Sequence, residues 1–156
     1  MIRPIIGFTQ DDRGDWIASL SCGHAQHMRH APPFTSRPWV LTAEGRDSML
    51  GAPVDCVRCD RFEMPETVVA FKRTETFTEH TVPDALLTDH TTPAGIWGRI
   101  TVVEGTLRYR VMQLNTDIEL SPQNPGIIVP EAPHRVRPGG TVRFYVELFR
   151  RSAGAS

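Results

Sequence analysis

No excess of either charge marks this chain of 156 residues, in which 17 basic side chains stand against 18 acidic ones. The balance holds within each half, at seven against eight before Pro65 and ten against ten after it. A nucleic-acid or membrane-surface binder draws its affinity from a basic excess, so neither partner is expected. Lysine is nearly absent, one residue against sixteen arginines, and a GC-rich coding sequence accounts for that without any function. Long apolar runs are missing as well. Ala85-Leu86-Leu87 and Ile127-Ile128-Val129 fall far short of the roughly 20 residues that a spanning helix needs. Met1-Ile2-Arg3-Pro4 leads into a strand-like stretch without a signal-peptide core, so a cytoplasmic location is expected. Three cysteines are too few for a disulfide framework here, and Cys56-x-x-Cys59 points instead to metal or redox chemistry.

What is present is a strand pattern. Hydrophobic residues make up 40% and charged residues 22%, the balance of a globular protein rather than a disordered or fibrous one. Residues 5–8 and 16–20 read as a hairpin around the turn Asp11-Asp12-Arg13-Gly14-Asp15. Residues 42–50 suit a short helix capped by Thr42. After Pro65 the strand candidates are 68–71, 96–103, 107–112, 127–129, 135–136 and 142–149, with reversals at Glu104-Gly105 and Pro138-Gly139-Gly140. Strands at about ten-residue spacing indicate a sandwich or small barrel. Leu107, Tyr109 and Val111 share one face of their strand, Arg108 and Arg110 the other. The expected organisation is a Cys/His domain over 1–64, a β domain over 65–151 and a frayed tail over 152–156.

Cys22, His24, His27, His30, Cys56 and Cys59 carry the strongest chemical signal. Zinc takes four soft or borderline ligands in a tetrahedron, and a Cys-x-x-Cys turn brings two thiolates to one ion. On an extended segment Cys22 and His24 project to the same side, and His27 falls on the opposite parity. The expected ligands are therefore Cys22, His24, Cys56 and Cys59, with His27 or His30 as alternatives to His24. With four protein ligands no position is left for water, so the zinc would be structural. A thioredoxin-like role is disfavoured, because no βαβ pattern surrounds the pair. His27, Arg29, His30 and Arg37 would remain as a surface cluster suited to an anion.

The segment 4–60 resembles a functionally uncharacterised family of bacterial domains. The resemblance lies in Gly14-Asp15-Trp16, Cys22-Gly23-His24, Gln26-His27, Arg29-His30, Pro32-Pro33, Arg37-Pro38-Trp39-Val40 and the late Cys56-x-x-Cys59. It implies no activity.

Residues 66–151 resemble the cupin-like domain of the TehB tellurite-resistance family. The matching residues are Phe77-x-Glu79-x-Thr81-x-Pro83, His90-Thr91-Thr92, Gly95-Ile96-Trp97-Gly98, Gly105-x-Leu107-x-Tyr109, Pro130-x-x-Pro133-His134-x-Val136-x-Pro138 and Val142-x-Phe144-x-Val146-Glu147. For this segment the resemblance implies a cupin-like double-stranded β-helix, or jelly-roll, barrel, so the expected fold is a mainly β chain in which the small zinc-stabilised β module precedes that barrel. In that family the domain stands alone or precedes a methyltransferase that uses S-adenosylmethionine. Methylation is not expected here, because no glycine-rich nucleotide loop follows. Of the usual cupin metal ligands only His134 falls in register, and His90 lies just outside it. Glu79 and Glu131 are candidate carboxylates, while Glu147 alternates away from the interior. A barrel without metal is therefore expected, with a second metal as the alternative. Its pocket would be lined by His90, Trp97, Tyr109 and His134.

The function these features imply is a non-enzymatic, cytoplasmic, zinc-containing binding protein whose cupin-like pocket takes a small anion or metal-type ligand, linked through the family to tolerance of tellurite or similar oxyanions. No nucleophile with a partnering base emerges from the sequence. The alternatives are a metalloenzyme built on His90 and His134, of oxygenase or isomerase type, and an interaction protein whose zinc module docks a partner. Cupin-like sheets commonly pair, so a homodimer is expected by resemblance.

Overall fold

Alternating apolar and polar side chains turn one face of a strand toward the interior, and the first such segment runs further than its apolar centre suggested. In the computed structural model, which describes residues 1–153, β1 (Ile2–Gln10) pairs antiparallel with β2 (Trp16–Leu20). The acidic turn between them is held by Asp11, whose Oδ1 accepts the N–H groups of Arg13 and Asp15, both at 2.9 Å. β3 (Ala25–His27) and β4 (Pro53–Asp55) complete a sheet of order β3-β2-β1-β4. Ile5, Ala18, Leu20 and Val40 are each 2% exposed or less. The expected short helix is α1 (Ala43–Ser48), and Thr42 Oγ1 accepts the Gly45 N–H at 3.0 Å as its cap. Gly45 is there because an added Cβ would overlap the carbonyl oxygen of Trp39. A single helical turn, α2 (Val57–Asp60), follows β4.

The chain divides into two compact units, Met1–Val57 and Arg58–Ser156. The second is almost wholly β. Its elements are β5 (Val68–Arg73), β6 (Phe77–Thr78), α3 (Asp84–Leu87), β7 (Trp97–Glu104), β8 (Leu107–Val111), β9 (Thr116–Leu120), β10 (Gly126–Ile128), β11 (His134–Pro138) and β12 (Arg143–Arg151). One sheet has the order β10-β7-β12-β5, with β6 also on β12, and the other has the order β11-β8-β9. The sheets lie face to face. Tyr109 of β8 donates its hydroxyl to Ile127 O of β10 at 2.8 Å, and Trp97, Ile100, Leu107, Leu120 and Phe144 are each 1% exposed or less.

The chain is thus mainly β, as its texture implied. β9 was not expected, because Thr116-Asp117-Ile118-Glu119-Leu120 reads as polar. Its acids alternate outward beside the arginines of β8, and Leu120 turns in. Of the expected frayed tail, residues 154–156 lie outside the described residues. Ser152 donates its N–H to Thr67 O at 2.9 Å and is held. No helix among the described residues is long and apolar enough to cross a membrane.

Gly126 marks how closely the sheets approach, since a Cβ there would stand 2.7 Å from Leu120 Cδ1. A Gly126→Ala change should lower the stability of the full chain by about 1–3 kcal/mol through overpacking. Denaturant titration should read this as an earlier midpoint at an unchanged slope.

Candidate metal centre and barrel pocket

The metal-type side chains converge because two short turns present them. At the end of β2 the chain reverses through Ser21-Cys22-Gly23, where Gly23 N–H donates to Leu20 O and Leu20 N–H to His24 O, each at 2.9 Å. Gly23 adopts φ +95°, a conformation that glycine enters without a Cβ penalty. Cys56 leaves β4 with its N–H on Met1 O at 2.7 Å, and α2 carries Cys59. Cys22 Sγ lies 3.8 Å from Cys56 Sγ, and His24 Nδ1 lies 3.4 Å and 3.3 Å from those two sulfurs. The ligand atoms of Cys22, His24, Cys56 and Cys59 all fall within 4.8 Å of one another. All four residues are buried, Cys59 completely, and the cysteines form no disulfide. Such a group could hold a metal ion.

Cys22 and His24 were expected on an extended segment, whereas Cys22 lies in a turn, His24 follows it, and strand geometry begins only at Ala25. The other histidines are engaged elsewhere. His27 Nε2 stands 3.0 Å from Asp11 Oδ2, and that hydrogen bond is the main reason the Asp11 carboxyl is held below its usual range. His30 Nδ1 accepts the Arg37 N–H at 2.9 Å, and Arg29 pairs with Asp15 at 3.3 Å. The surface anion cluster suggested for His27, Arg29, His30 and Arg37 therefore has two of its members already on carboxylates.

In the second unit a cavity of about 340 Å³ opens between mostly apolar walls that include Phe77, Leu86, Ile96, Ile128 and Leu148. His90 and His134 both line it. The two form an isolated bridge, with reciprocal N–H···O bonds of 2.8 and 2.9 Å, which sets their rings 5.6 Å apart at 81°. His134 is 2% exposed, and its Nδ1 lies 3.0 Å from Ala132 O. A carbonyl only accepts, so Nδ1 carries the proton and Nε2 offers a lone pair. That Nε2 is buried and meets no protein partner. Burial, seconded by the charge of His90, pushes the His134 pKa down against the Ala132 hydrogen bond, so the ring is neutral.

Two residues expected in the pocket are not there. Trp97 and Tyr109 are 0% and 1% exposed core residues outside the cavity lining, because their alternation turns them into the packed layer between the sheets. Tyr109 serves as a wall behind the pocket, its ring 5.9 Å from that of His134, and burial pushes its phenol above the usual range. The candidate carboxylates are also elsewhere. Glu79 Oε2 accepts the Val142 N–H at 3.0 Å, which chiefly holds its carboxyl below the ordinary range. Glu79, Glu131 and Glu147 are absent from the lining, and among the described residues no third metal-type side chain joins the two histidines. Thr92, which does line the cavity, was visible in the sequence only as part of His90-Thr91-Thr92. Its hydroxyl is committed to Ile96 O at 2.7 Å.

Fold and site together define a class: a mainly β protein with a buried cysteine–histidine cluster in the N-terminal part of its sequence and a two-sheet unit that holds a histidine-lined pocket. Residues 72–146 match the TehB-like domain, and residues 6–63 match a family described as protein of unknown function, DUF3565. The chain therefore carries a TehB-like domain preceded by a domain of that second family. Among solved structures it is similar to TehB from Haemophilus influenzae, at 20% identity and a TM-score of 0.51, over 55% of this chain and 32% of that one. It is also similar to a protein from Escherichia coli strain K12, at 17% identity and a TM-score of 0.53, over 57% of this chain and 88% of that one. Identities this low speak to the fold alone. No curated relative matches the sequence.

The buried imidazole should titrate below its ordinary value of 6.5. The unfolded chain then takes up the proton first as pH falls. The group's contribution to stability is full above about pH 6.5 and is lost as pH drops toward the folded value. A proton NMR titration of the full chain, assigned with His134→Gln, should show the His134 ring resonance moving with its midpoint below the ordinary imidazole value of 6.5.

Proposed function

We propose that this protein is a non-enzymatic binding protein, in which a module held by structural zinc precedes a cupin-like barrel that takes a small ligand. The observation that carries the metal assignment is the spacing of the cluster. Zinc–sulfur bonds of about 2.3 Å and zinc–nitrogen bonds of about 2.05 Å at the tetrahedral angle separate two sulfurs by about 3.8 Å, and sulfur from nitrogen by about 3.6 Å. The distances of 3.8, 3.4 and 3.3 Å agree with that cage. Four buried protein ligands leave no open position for water, which is the mark of a structural site. A unit of this size has a small core, so such a staple adds stability that the core alone supplies only marginally.

The pocket favours a different ligand from an oxyanion. A neutral imidazole with a bare Nε2 in apolar surroundings accepts hydrogen bonds and offers no charge to an anion. The ligand that fits is small, largely apolar and equipped with one hydroxyl or amine donor. Any part in tolerance of tellurite rests on the likeness to the TehB-like domain. Three cysteines without a disulfide suit a cytoplasmic location. A homodimer would use an exposed sheet edge such as β5, where Val69 and Phe71 face outward.

The second reading is a metalloenzyme, and two histidines lining one cavity, with His134 Nε2 left without a partner, are what favour it. Elemental mass spectrometry of the full chain distinguishes the two. One zinc per chain is expected, lost in Cys56→Ser together with a lower melting temperature, and unchanged in His134→Ala. A second, non-zinc metal that disappears in His134→Ala would overturn the binding-protein reading. Absence of zinc from protein purified without chelators would overturn the module.

A further inference from the structure

The side of the β11-β8-β9 sheet turned away from the core carries a feature that the pocket reading does not use. Antiparallel register sets Arg110 directly opposite Arg135, and Arg108 directly opposite Arg137. Like charges facing each other across a ladder destabilise a sheet, yet here two such pairs stand side by side. Alternation places all four on the outer face, since Leu107, Tyr109, Val111, His134 and Val136 are buried. Counter-charge is sparse. Asp117 Oδ2 reaches Arg108 Nη2 at 3.1 Å, and Glu119 of β9 stands opposite Arg108 in register. Asp89 neighbours Arg135 through the His90–His134 bridge without pairing with it. Arg110 Nη2 touches Asn115 Oδ1 at 3.5 Å, while its Nε is shielded from water and donates to nothing. Among the described residues Arg135 and Arg137 make no ion pair.

These side chains line an open groove of about 920 Å³, together with Leu87 and Pro138-Gly139. Four arginines and one aspartate supply its charge.

We propose that this groove is a binding site for a compact polyanion of the polyphosphate-ester class, about the size of a nucleotide. The four guanidinium stems start from a mesh of roughly 5 by 7 Å set by strand spacing and the two-residue repeat. Planar guanidinium groups on such a mesh pair bidentately with clustered phosphate oxygens. Filling the groove would relieve the repulsion across the ladder. A long nucleic acid fits less well, because the chain as a whole carries a net charge of −1. The site is separate from the His134 pocket, on the other face of the same strands, and does not depend on it.

The test is calorimetric titration of the full chain with inorganic tripolyphosphate, with zinc content measured before and after to separate binding from chelation. Saturable binding of one anion per chain is expected, weakening as salt rises. Arg135→Gln combined with Arg137→Gln should reduce affinity at least tenfold while the melting temperature holds or rises. His134→Ala should bind like the wild type. The proposal is overturned by absence of saturable binding, by equal binding in the double variant, or by loss in His134→Ala. Binding of single-stranded RNA or an acidic peptide without binding of tripolyphosphate would overturn it too.

Discussion

Three cysteine sulfurs and an imidazole nitrogen brought within 4.8 Å, in an interior almost closed to water, form the constraint around which the N-terminal module is organised. Thiols packed this closely have little reason to stay together for their apolar surface alone. The local structure follows from delivering them. Gly23 permits the tight reversal that carries Cys22 and His24, and the backbone of Met1 clamps Cys56 at the end of β4. The sheet order β3-β2-β1-β4 brings the two turns from opposite edges of one layer to a common point. Burying such groups is costly unless they are satisfied together, and a shared cation satisfies them most completely.

The second unit solves a different problem, the separation of polar chemistry from a packed core. Trp97, Tyr109 and Phe144 fill the space between the sheets, and the pocket is left where the His90–His134 bridge closes one end. There the polar equipment is a neutral ring. Positive charge is carried instead on the far face of the same sheet, by arginines that alternate with the buried residues of β8 and β11. One strand thus presents an acceptor in an apolar hollow and cations to water, two environments suited to ligands of opposite character.

Much of this was legible residue by residue. The hairpin at Asp11–Asp15, the Thr42 cap, the Gly105 reversal and most strands of the second unit follow from local spacing and turn chemistry. β9 escaped because its acids make sense only beside the arginines of β8. Trp97 and Tyr109 looked like pocket residues because aromatic rings serve walls and cores equally well. Which role each plays depends on how near the opposite sheet comes, and the collision that a Cβ on Gly126 would meet shows how near that is.

Sequence by itself determined what neighbours along the chain decide: the β texture, the turns, and the presence of a Cys-x-His and a Cys-x-x-Cys able to share an ion. Only the tertiary structure decided which histidine faces the cysteines, since a turn rather than an extended segment aims His24 and leaves His27 to Asp11. It alone paired His90 with His134 across the chain and set Arg108 and Arg110 opposite Arg137 and Arg135. The physical reason is that periodicity is written in residues two to four apart. Register and the closeness of two sheets arise between residues tens of positions apart, where no local preference records them.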